Sequence, residues 1–122
     1  MIKTISVIGR RLKYALEGIR LMLTDSSYVK HCYALVAVVV LGLILGLERM
    51  EWIAVIFCCG GVLAAEAMNT AIEILCDRVT TERDESIRKT KDIAAGAVLT
   101  VSIVAAIVGM IVFIPAILRF VS

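Results

Sequence analysis

The amino-acid sequence predicts an all-α integral membrane protein, in which an amphipathic amino-terminal surface helix precedes three transmembrane helices. The chain has 122 residues, of which 61% are hydrophobic, and its mean hydropathy is +0.96. A soluble domain of this length could not bury so much apolar surface, whereas a bilayer can cover it. The length fits a single membrane domain over residues 1–122.

Residues at about 3–24 are predicted to form a helix that lies on the membrane surface. Apolar residues recur there every three or four positions, at Ile5, Ile8, Leu12, Leu16, Ile19 and Leu23. Charged residues share the opposite face, namely Arg10, Lys13, Glu17 and Arg20. This division is typical of a helix whose apolar face enters the headgroup boundary. The alternative is a solvated helix that packs on its neighbours.

Three apolar stretches predict the membrane spans. They lie at about 32–47, 52–76 and 93–118. Short polar side chains at 24–27 predict a turn or a helix cap before the first span. A tight polar connection at 48–51 joins the first two spans, and the charged segment 77–92 separates the second from the third.

The charge distribution predicts how the protein is oriented. Three spans put the amino-terminal helix and the 77–92 segment on the same side of the membrane. Residues 1–31 carry six basic and two acidic residues, so the positive-inside rule places that side in the cytoplasm. No compact apolar region followed by a cleavage site occurs in the first 30 residues, so we expect no secretory signal. The four cysteines form no C-x-x-C pair, and we expect structural roles for them.

A stripe of polar residues interrupts the second span. At about 100° per residue, five polar side chains fall on one side of the helix, namely Glu66, Asn69, Thr70, Glu73 and Asp77. A charged carboxylate at hydrocarbon depth costs roughly 2.5 kcal/mol or more. The two glutamates of the stripe therefore indicate a functional site.

Other polar residues converge on the cytoplasmic end of this stripe. Lys91 and Asp92 begin the third span, and Asp25 precedes the first. Phosphoryl transfer from a nucleotide to a lipid headgroup uses such a set, because carboxylates hold a divalent metal and accept a proton while a lysine neutralises charge. Neither a P-loop nor a Rossmann glycine motif is present.

Two alternatives to phosphoryl transfer remain open from the residues alone. One is a small transporter that uses Glu66 and Glu73 to relay protons or cations. The other is a structural dimer or trimer whose carboxylates pair with basic residues across an interface.

Two long motifs give the chain a resemblance to a known family. They are Glu66-x-x-Asn69-Thr70-Ala71-Ile72-Glu73-x-x-x-Asp77 and Lys91-Asp92-Ile93-Ala94-Ala95-Gly96-Ala97-Val98-Leu99. From about Arg11 to Phe113 the sequence resembles the prokaryotic diacylglycerol kinases, which are small three-span membrane enzymes. The residues of both motifs are similar to those of the Gram-positive branch of this family, whose members act as undecaprenol kinases.

The resemblance implies an ATP- and magnesium-dependent homotrimer in the bacterial plasma membrane. Its active sites would be shared between subunits near the cytoplasmic surface. The reaction would transfer the γ-phosphate of ATP to a lipid alcohol, with undecaprenol expected and diacylglycerol as the alternative. The implied partners are ATP, the lipid alcohol and membrane lipids, and no nucleic acid.

The resemblance also implies roles for single residues. Glu66 would be the general base that accepts the proton of the lipid hydroxyl, and Asn69 would orient groups in the site. Glu73 and Asp25 would hold Mg²⁺ and, through it, the nucleotide. The remaining nucleotide contacts would be Arg10 or Arg11, Tyr14, Asp77, Glu82, Lys91 and Asp92.

The sequence departs from the family pattern at two places. The second metal-binding carboxylate falls on Ser26 in a gapless alignment, whereas a one-residue gap brings Asp25 to that position. We expect Asp25, because the same gap also aligns Tyr28 and His31 with the Gram-positive pattern. The histidine usual before the Lys-Asp motif is missing, and Asp84 stands near its place. This second difference concerns the adenine contacts and not the reaction type.

Overall fold

A computed structural model describes the whole chain, residues 1–122. The protein consists of four α-helices: α1 (Ile2–Met22), α2 (Ser26–Leu45), α3 (Arg49–Val79) and α4 (Glu85–Val121). The last three are each long and apolar enough to cross a membrane. The predicted fold class, an amphipathic first helix followed by three spans, is therefore confirmed. The homotrimer stays a prediction.

Local sequence sets the ends of α2 and the start of α3. Asp25 caps α2, because its carboxylate accepts a hydrogen bond of 3.0 Å from the backbone N–H of Tyr28. Gly46 ends α2 in the left-handed conformation, at a φ of 65°, which glycine adopts without a steric penalty. Glu48 and Glu51 then form a reciprocal capping box that begins α3. These caps make the connection between the first two spans short.

The charged segment between the second and third spans is mostly helical. The helix α3 continues to Val79 and α4 begins at Glu85, so only residues 80–84 are irregular. Asp84 caps α4 by accepting a hydrogen bond of 3.0 Å from the backbone N–H of Ile87. The sequence did not separate helix from loop here, because residues 85–92 lack apolar periodicity. The first two turns of α4 therefore carry charged side chains on a regular helix.

A small apolar core lies where α2 ends, α3 begins and α4 approaches its end. It consists of Leu47, Val55, Val112 and Ala116. Close approach of the helices beside this core depends on Gly42. A Cβ atom built on Gly42 would lie 2.9 Å from the ring of Trp52, so only glycine leaves room for this contact.

An ion pair joins α3 and α4 near the same end of the bundle. The Arg119 Nη2 donates to both carboxylate oxygens of Glu51, at 2.9 and 3.0 Å. These hydrogen bonds lower the pKa of Glu51 and raise the pKa of Arg119. The pair therefore stays charged just outside the apolar spans.

Most apolar side chains remain exposed in the single chain. Nine of 122 residues are buried, and large side chains such as Phe57, Ile93 and Ile111 are more than half exposed. The helix α1 buries no residue, so the alternative in which it packs on its neighbours finds no support within one chain. An apolar surface of this extent suits contact with lipid or with further subunits.

Candidate functional site

The polar stripe of α3 runs from the interior of the protein to its surface. Glu66 and Thr70 are the two buried polar side chains of the chain, 7% and 9% exposed. Asn69 is half-buried, whereas Glu73 and Asp77 are exposed. The predicted base therefore lies in a shielded position, and the predicted metal and nucleotide residues lie where solutes can reach them.

The Asn69 amide joins the shielded and exposed parts of the stripe. Its Nδ2 donates a long hydrogen bond of 3.5 Å to Oε1 of Glu73. Its Oδ1 is buried and has no hydrogen-bond partner. A buried polar atom left unpaired costs about 1–3 kcal/mol. The unpaired oxygen is therefore available to accept a hydrogen bond or to bind a cation.

An ion pair connects the stripe to α4. The Lys91 Nζ donates to Oδ1 of Asp77 at 2.5 Å, across 14 residues of sequence. This hydrogen bond raises the pKa of Lys91, so the amine stays protonated at the end of the span. Two residues that the sequence assigned to the nucleotide site are thus brought into contact.

A second ion-pair network lies along the first turns of α4. Arg88 Nη1 donates to Oδ2 of Asp92 at 2.7 Å. On its other side, Arg88 donates through Nε and Nη2 to the two carboxylate oxygens of Glu85, at 3.1 and 2.6 Å. This contact lowers the pKa of Glu85 and raises the pKa of Arg88. Asp92 therefore has a fixed basic partner.

A polar pocket of about 610 Å³ lies beside this network. It is lined by Glu82, Arg83, Asp84, Glu85, Ile87, Arg88 and Lys91. Two predicted nucleotide residues, Glu82 and Lys91, are among its walls. The backbone N–H of Glu82 donates a hydrogen bond of 3.1 Å to the hydroxyl of Thr80, which orders the connection before α4. The walls of the pocket therefore carry both acidic and basic side chains that face a ligand.

Arg88 is the residue of this region that the sequence analysis missed. Its spacing carried a signal, because Glu85 and Asp92 lie three and four positions away on the same helix face. Glu85, Arg88 and Asp92 share a helix face only if α4 begins at Glu85. The sequence instead predicted a charged segment up to Asp92, with the span after it. The helix start was the missing information.

Asp25 and Ser26 differ in what the structure gives them. Asp25 is half-buried and uses Oδ1 to cap α2. Ser26 is exposed and begins the helix. The cap occupies one carboxylate oxygen of Asp25 and leaves Oδ2 available, whereas Ser26 has only a hydroxyl. Asp25 as the second metal ligand therefore stays a prediction, and its Oδ2 atom is free to bind a metal ion.

The predicted site residues of α1 do not join the others within one chain. Arg10 and Tyr14 are exposed on α1, and this helix buries nothing against the bundle. No group of three or more histidine, cysteine, aspartate or glutamate residues is arranged to hold a metal ion. One chain thus brings the α3 and α4 parts of the site together and leaves the α1 residues separate.

The donor set of the stripe nevertheless fits magnesium. The candidate ligands are oxygen atoms, and the unpaired Oδ1 of Asn69 lies next in the stripe to the exposed carboxylate of Glu73. Mg²⁺ is commonly held by one or two carboxylates together with substrate phosphates, and it does not require a complete protein cage. Glu73 and Asp25 are the residues that would hold it.

An apolar cavity of about 310 Å³ lies between α2, α3 and α4. Fourteen residues line it, and twelve of them are hydrophobic. His31 is a polar member of the lining, and its Nδ1 lies 2.9 Å from the carbonyl oxygen of Ser27. The cavity is a gap between the spans, and its apolar lining suits contact with a hydrocarbon chain.

A family profile and three known proteins match most of this chain. The profile, described as Prokaryotic diacylglycerol kinase, matches residues 13–113. An undecaprenol kinase from Bacillus subtilis is 33% identical over 92 residues, which are 75% of each chain. A diacylglycerol kinase from Haemophilus influenzae is 31% identical over 103 residues, 83% of this chain and 87% of the relative. A diacylglycerol kinase from Sinorhizobium is 29% identical over 86 residues, 70% of this chain and 63% of the relative. The resemblance inferred from the two motifs is thereby confirmed.

Proposed function

The chain belongs to the prokaryotic diacylglycerol kinase family, and from this premise we propose that it transfers the γ-phosphate of ATP to undecaprenol, giving undecaprenyl phosphate. As a member of that family it is a membrane lipid kinase. The Bacillus subtilis relative supports undecaprenol as the acceptor. The protein would act in the bacterial plasma membrane, with its amino terminus and the 77–92 segment in the cytoplasm.

One observation carries the proposal: a buried carboxylate stands one helical turn from an unpaired buried oxygen. Glu66 and Asn69 are three positions apart, so their side chains are neighbours on the helix surface. The stripe leads from them to the Asp77–Lys91 ion pair. A proton acceptor at hydrocarbon depth, followed by phosphate-binding groups nearer the water, suits transfer to a lipid alcohol.

In the proposed reaction Glu66 accepts the hydroxyl proton while the alcohol oxygen attacks the γ-phosphorus in line. The new phosphorus–oxygen bond forms as the bond to the β-phosphate oxygen breaks, and ADP leaves with that oxygen. Asn69 steadies Glu73 through Nδ2 and offers Oδ1 to a bound group. The apolar cavity between the spans provides a route for the alcohol from the bilayer.

Glu73 and Asp25 would hold Mg²⁺ jointly with the nucleotide phosphates. The ion would neutralise charge that develops on the transferred phosphoryl group. Glu73 is exposed, and Asp25 keeps one oxygen outside its capping bond. Asp25 stands at the start of α2 and Glu73 lies on α3, and sites shared between the subunits of a homotrimer would add the α1 residues to them.

The nucleotide would bind on the cytoplasmic side. Lys91, held by Asp77, would neutralise phosphate charge. The other proposed contacts are Glu82 and Asp92 near the polar pocket, and Arg10 and Tyr14 from α1. Because the α1 residues are exposed and unpartnered, they would reach the nucleotide from the membrane surface.

Diacylglycerol is the second candidate acceptor. The Haemophilus influenzae diacylglycerol kinase aligns over a larger share of this chain than the Bacillus subtilis relative, 83% against 75%. Both alcohols present a hydroxyl at the headgroup boundary and hydrocarbon below it. The chemistry of the stripe is the same for both.

The test is transfer of label from γ-labelled ATP to lipid by purified protein in micelles or vesicles. We expect labelled undecaprenyl phosphate in the presence of magnesium and none after chelation. If no lipid alcohol is labelled under any condition, the kinase proposal fails. Substrate-driven proton flux without ATP would instead support the transporter alternative.

A further inference from the structure

Arg88 is the centre of an ion-pair network that the proposed reaction leaves unused. Its guanidinium contacts Glu85 on one side and Asp92 on the other, at 2.6 and 2.7 Å. Three of its five N–H groups serve these two carboxylates. The residue also lines the polar pocket together with Lys91. It therefore joins the start of α4 to the Lys-Asp motif.

Folding alone does not account for this arrangement. The side chains of Arg88, Glu85 and Asp92 are 59, 66 and 63% exposed, and exposed ion pairs contribute little to stability. Beyond stability, the guanidinium of Arg88 favours one orientation of each carboxylate that it contacts, because its donors lie in one plane. The effect falls on Asp92, a residue proposed to contact the nucleotide.

Charge balance points the same way. The ionisable walls of the polar pocket are three acidic and three basic residues. Lys91 is already paired with Asp77, and Arg88 is the basic residue that contacts Asp92, which it shares with Glu85. Without Arg88, both carboxylates would lack a basic partner and would repel an anionic nucleotide more strongly.

We propose that Arg88 is a positioning residue of the nucleotide site, which orients and charge-balances Asp92 so that ATP can bind. This inference rests on the proposed kinase function. It predicts that loss of Arg88 weakens the use of ATP and leaves both the chemical step and the use of the lipid alcohol intact.

The first experiment measures steady-state kinetics of Arg88→Ala with undecaprenol and Mg-ATP. We expect the KM for ATP to rise about threefold to fivefold, which is the upper part of the range that loss of an exposed charge pair gives. The kcat and the KM for undecaprenol should stay within about twofold, because Arg88 acts through binding and not through proton transfer. Arg88→Gln, which removes the charge but keeps an unbranched side chain and a similar helix propensity, serves if the alanine variant melts early.

Lys89→Ala is the matched control. Lys89 is the next residue on the same helix, carries the same charge, is exposed and takes part in no ion pair. Its replacement should leave the KM for ATP unchanged. An equal rise in both variants would show a general effect of positive charge near the site and would overturn the assignment to Arg88.

A double-mutant cycle with Asp92→Asn tests whether Arg88 acts through Asp92. In that background Arg88→Ala should raise the KM for ATP no further, because the neutral amide needs no balancing cation. Independent, additive effects would overturn the positioning role. Arg88→Lys should restore less than the native guanidinium, since one ammonium cannot bridge both carboxylates in the same geometry.

Direct binding of a fluorescent ATP analogue separates this inference from the proposed function. If the wild-type protein labels no lipid alcohol, the proposed function fails, and the affinity of the analogue for wild type and Arg88→Ala still decides the role of Arg88. If the wild type is an active kinase and the affinity is equal in both proteins, only the inference on Arg88 is overturned.

Discussion

At the scale of single residues, the protein's most costly feature is the buried carboxylate of Glu66. It is 7% exposed, and none of the four ion pairs in the chain includes it. A carboxylate without a cationic partner in apolar surroundings is unfavourable. Together with the unpaired oxygen of Asn69, it gives the interior of α3 two polar side chains with oxygen atoms free to contact a ligand.

Glu66→Gln should stop turnover and leave nucleotide binding intact. The amide has the same shape but cannot accept a proton, so we expect kcat to fall about a hundredfold or more. Single-turnover kinetics and binding of an ATP analogue measure the two effects separately. Glu17→Gln, a carboxylate change on the exposed α1 helix, is the control. Normal chemistry combined with lost nucleotide binding would assign Glu66 a different role.

The choice between Asp25 and Ser26 as metal ligand needs a variant that preserves the helix cap. Asp25→Asn keeps a capping side chain for the Tyr28 N–H and removes the charge. We expect the Mg²⁺ concentration for half-maximal activity to rise at least about tenfold, since even residues that only support a ligand have that effect. Ser26→Ala should leave the magnesium requirement unchanged. The reverse pattern would assign the position to Ser26.

At the scale of helices, the sequence predicted which residues form the polar stripe. It did not predict which contacts the stripe makes with α4. Periodicity alone placed Glu66, Asn69, Glu73 and Asp77 on one side of α3, because helical spacing is local information. The Lys91–Asp77 pair spans 14 residues, and it depends on the register of two helices that no local pattern encodes. The Arg88 network was not predicted for a different reason. Its ion pairs can be inferred only if α4 is known to begin at Glu85.

Gly42→Ala should destabilise the packing of α2 on α3. The added Cβ would lie 2.9 Å from both Leu47 and the Trp52 ring, and overpacking of this kind costs about 1–3 kcal/mol. Gly60→Ala is the matched control, because no atom lies within 4 Å of its added Cβ and alanine favours a helix. Thermal unfolding in detergent compares the two. Equal stability of both variants would mean that the close approach at Gly42 is not maintained in the membrane.

At the scale of the whole molecule, one chain leaves α1 apart from the other proposed site residues. The α3 and α4 parts meet through the Asp77–Lys91 pair, whereas α1 buries nothing and no metal-binding cluster forms. The exposed apolar surface of the spans leaves ample area for neighbouring subunits. The oligomer was implied by the family resemblance, since composition and periodicity describe only one chain.

Mixing inactive subunits tests whether sites are shared. Glu66→Gln and Asp25→Asn proteins should each be nearly inactive at low magnesium. Co-assembled after unfolding and refolding together, they should regain activity, because some shared sites then contain the native residue at both positions. Mixing without subunit exchange is the control. Persistent inactivity after verified co-assembly would mean that each chain builds its own site.

We propose above all that this lipid kinase phosphorylates undecaprenol. The direct measurement is a competition assay. Purified protein in lipid vesicles is supplied with equal amounts of undecaprenol and diacylglycerol, together with γ-labelled Mg-ATP. The ratio of labelled products gives the ratio of kcat/KM values, and Glu66→Gln sets the background. We expect most of the label in undecaprenyl phosphate; label mainly in phosphatidic acid, or in neither lipid, would contradict the claim.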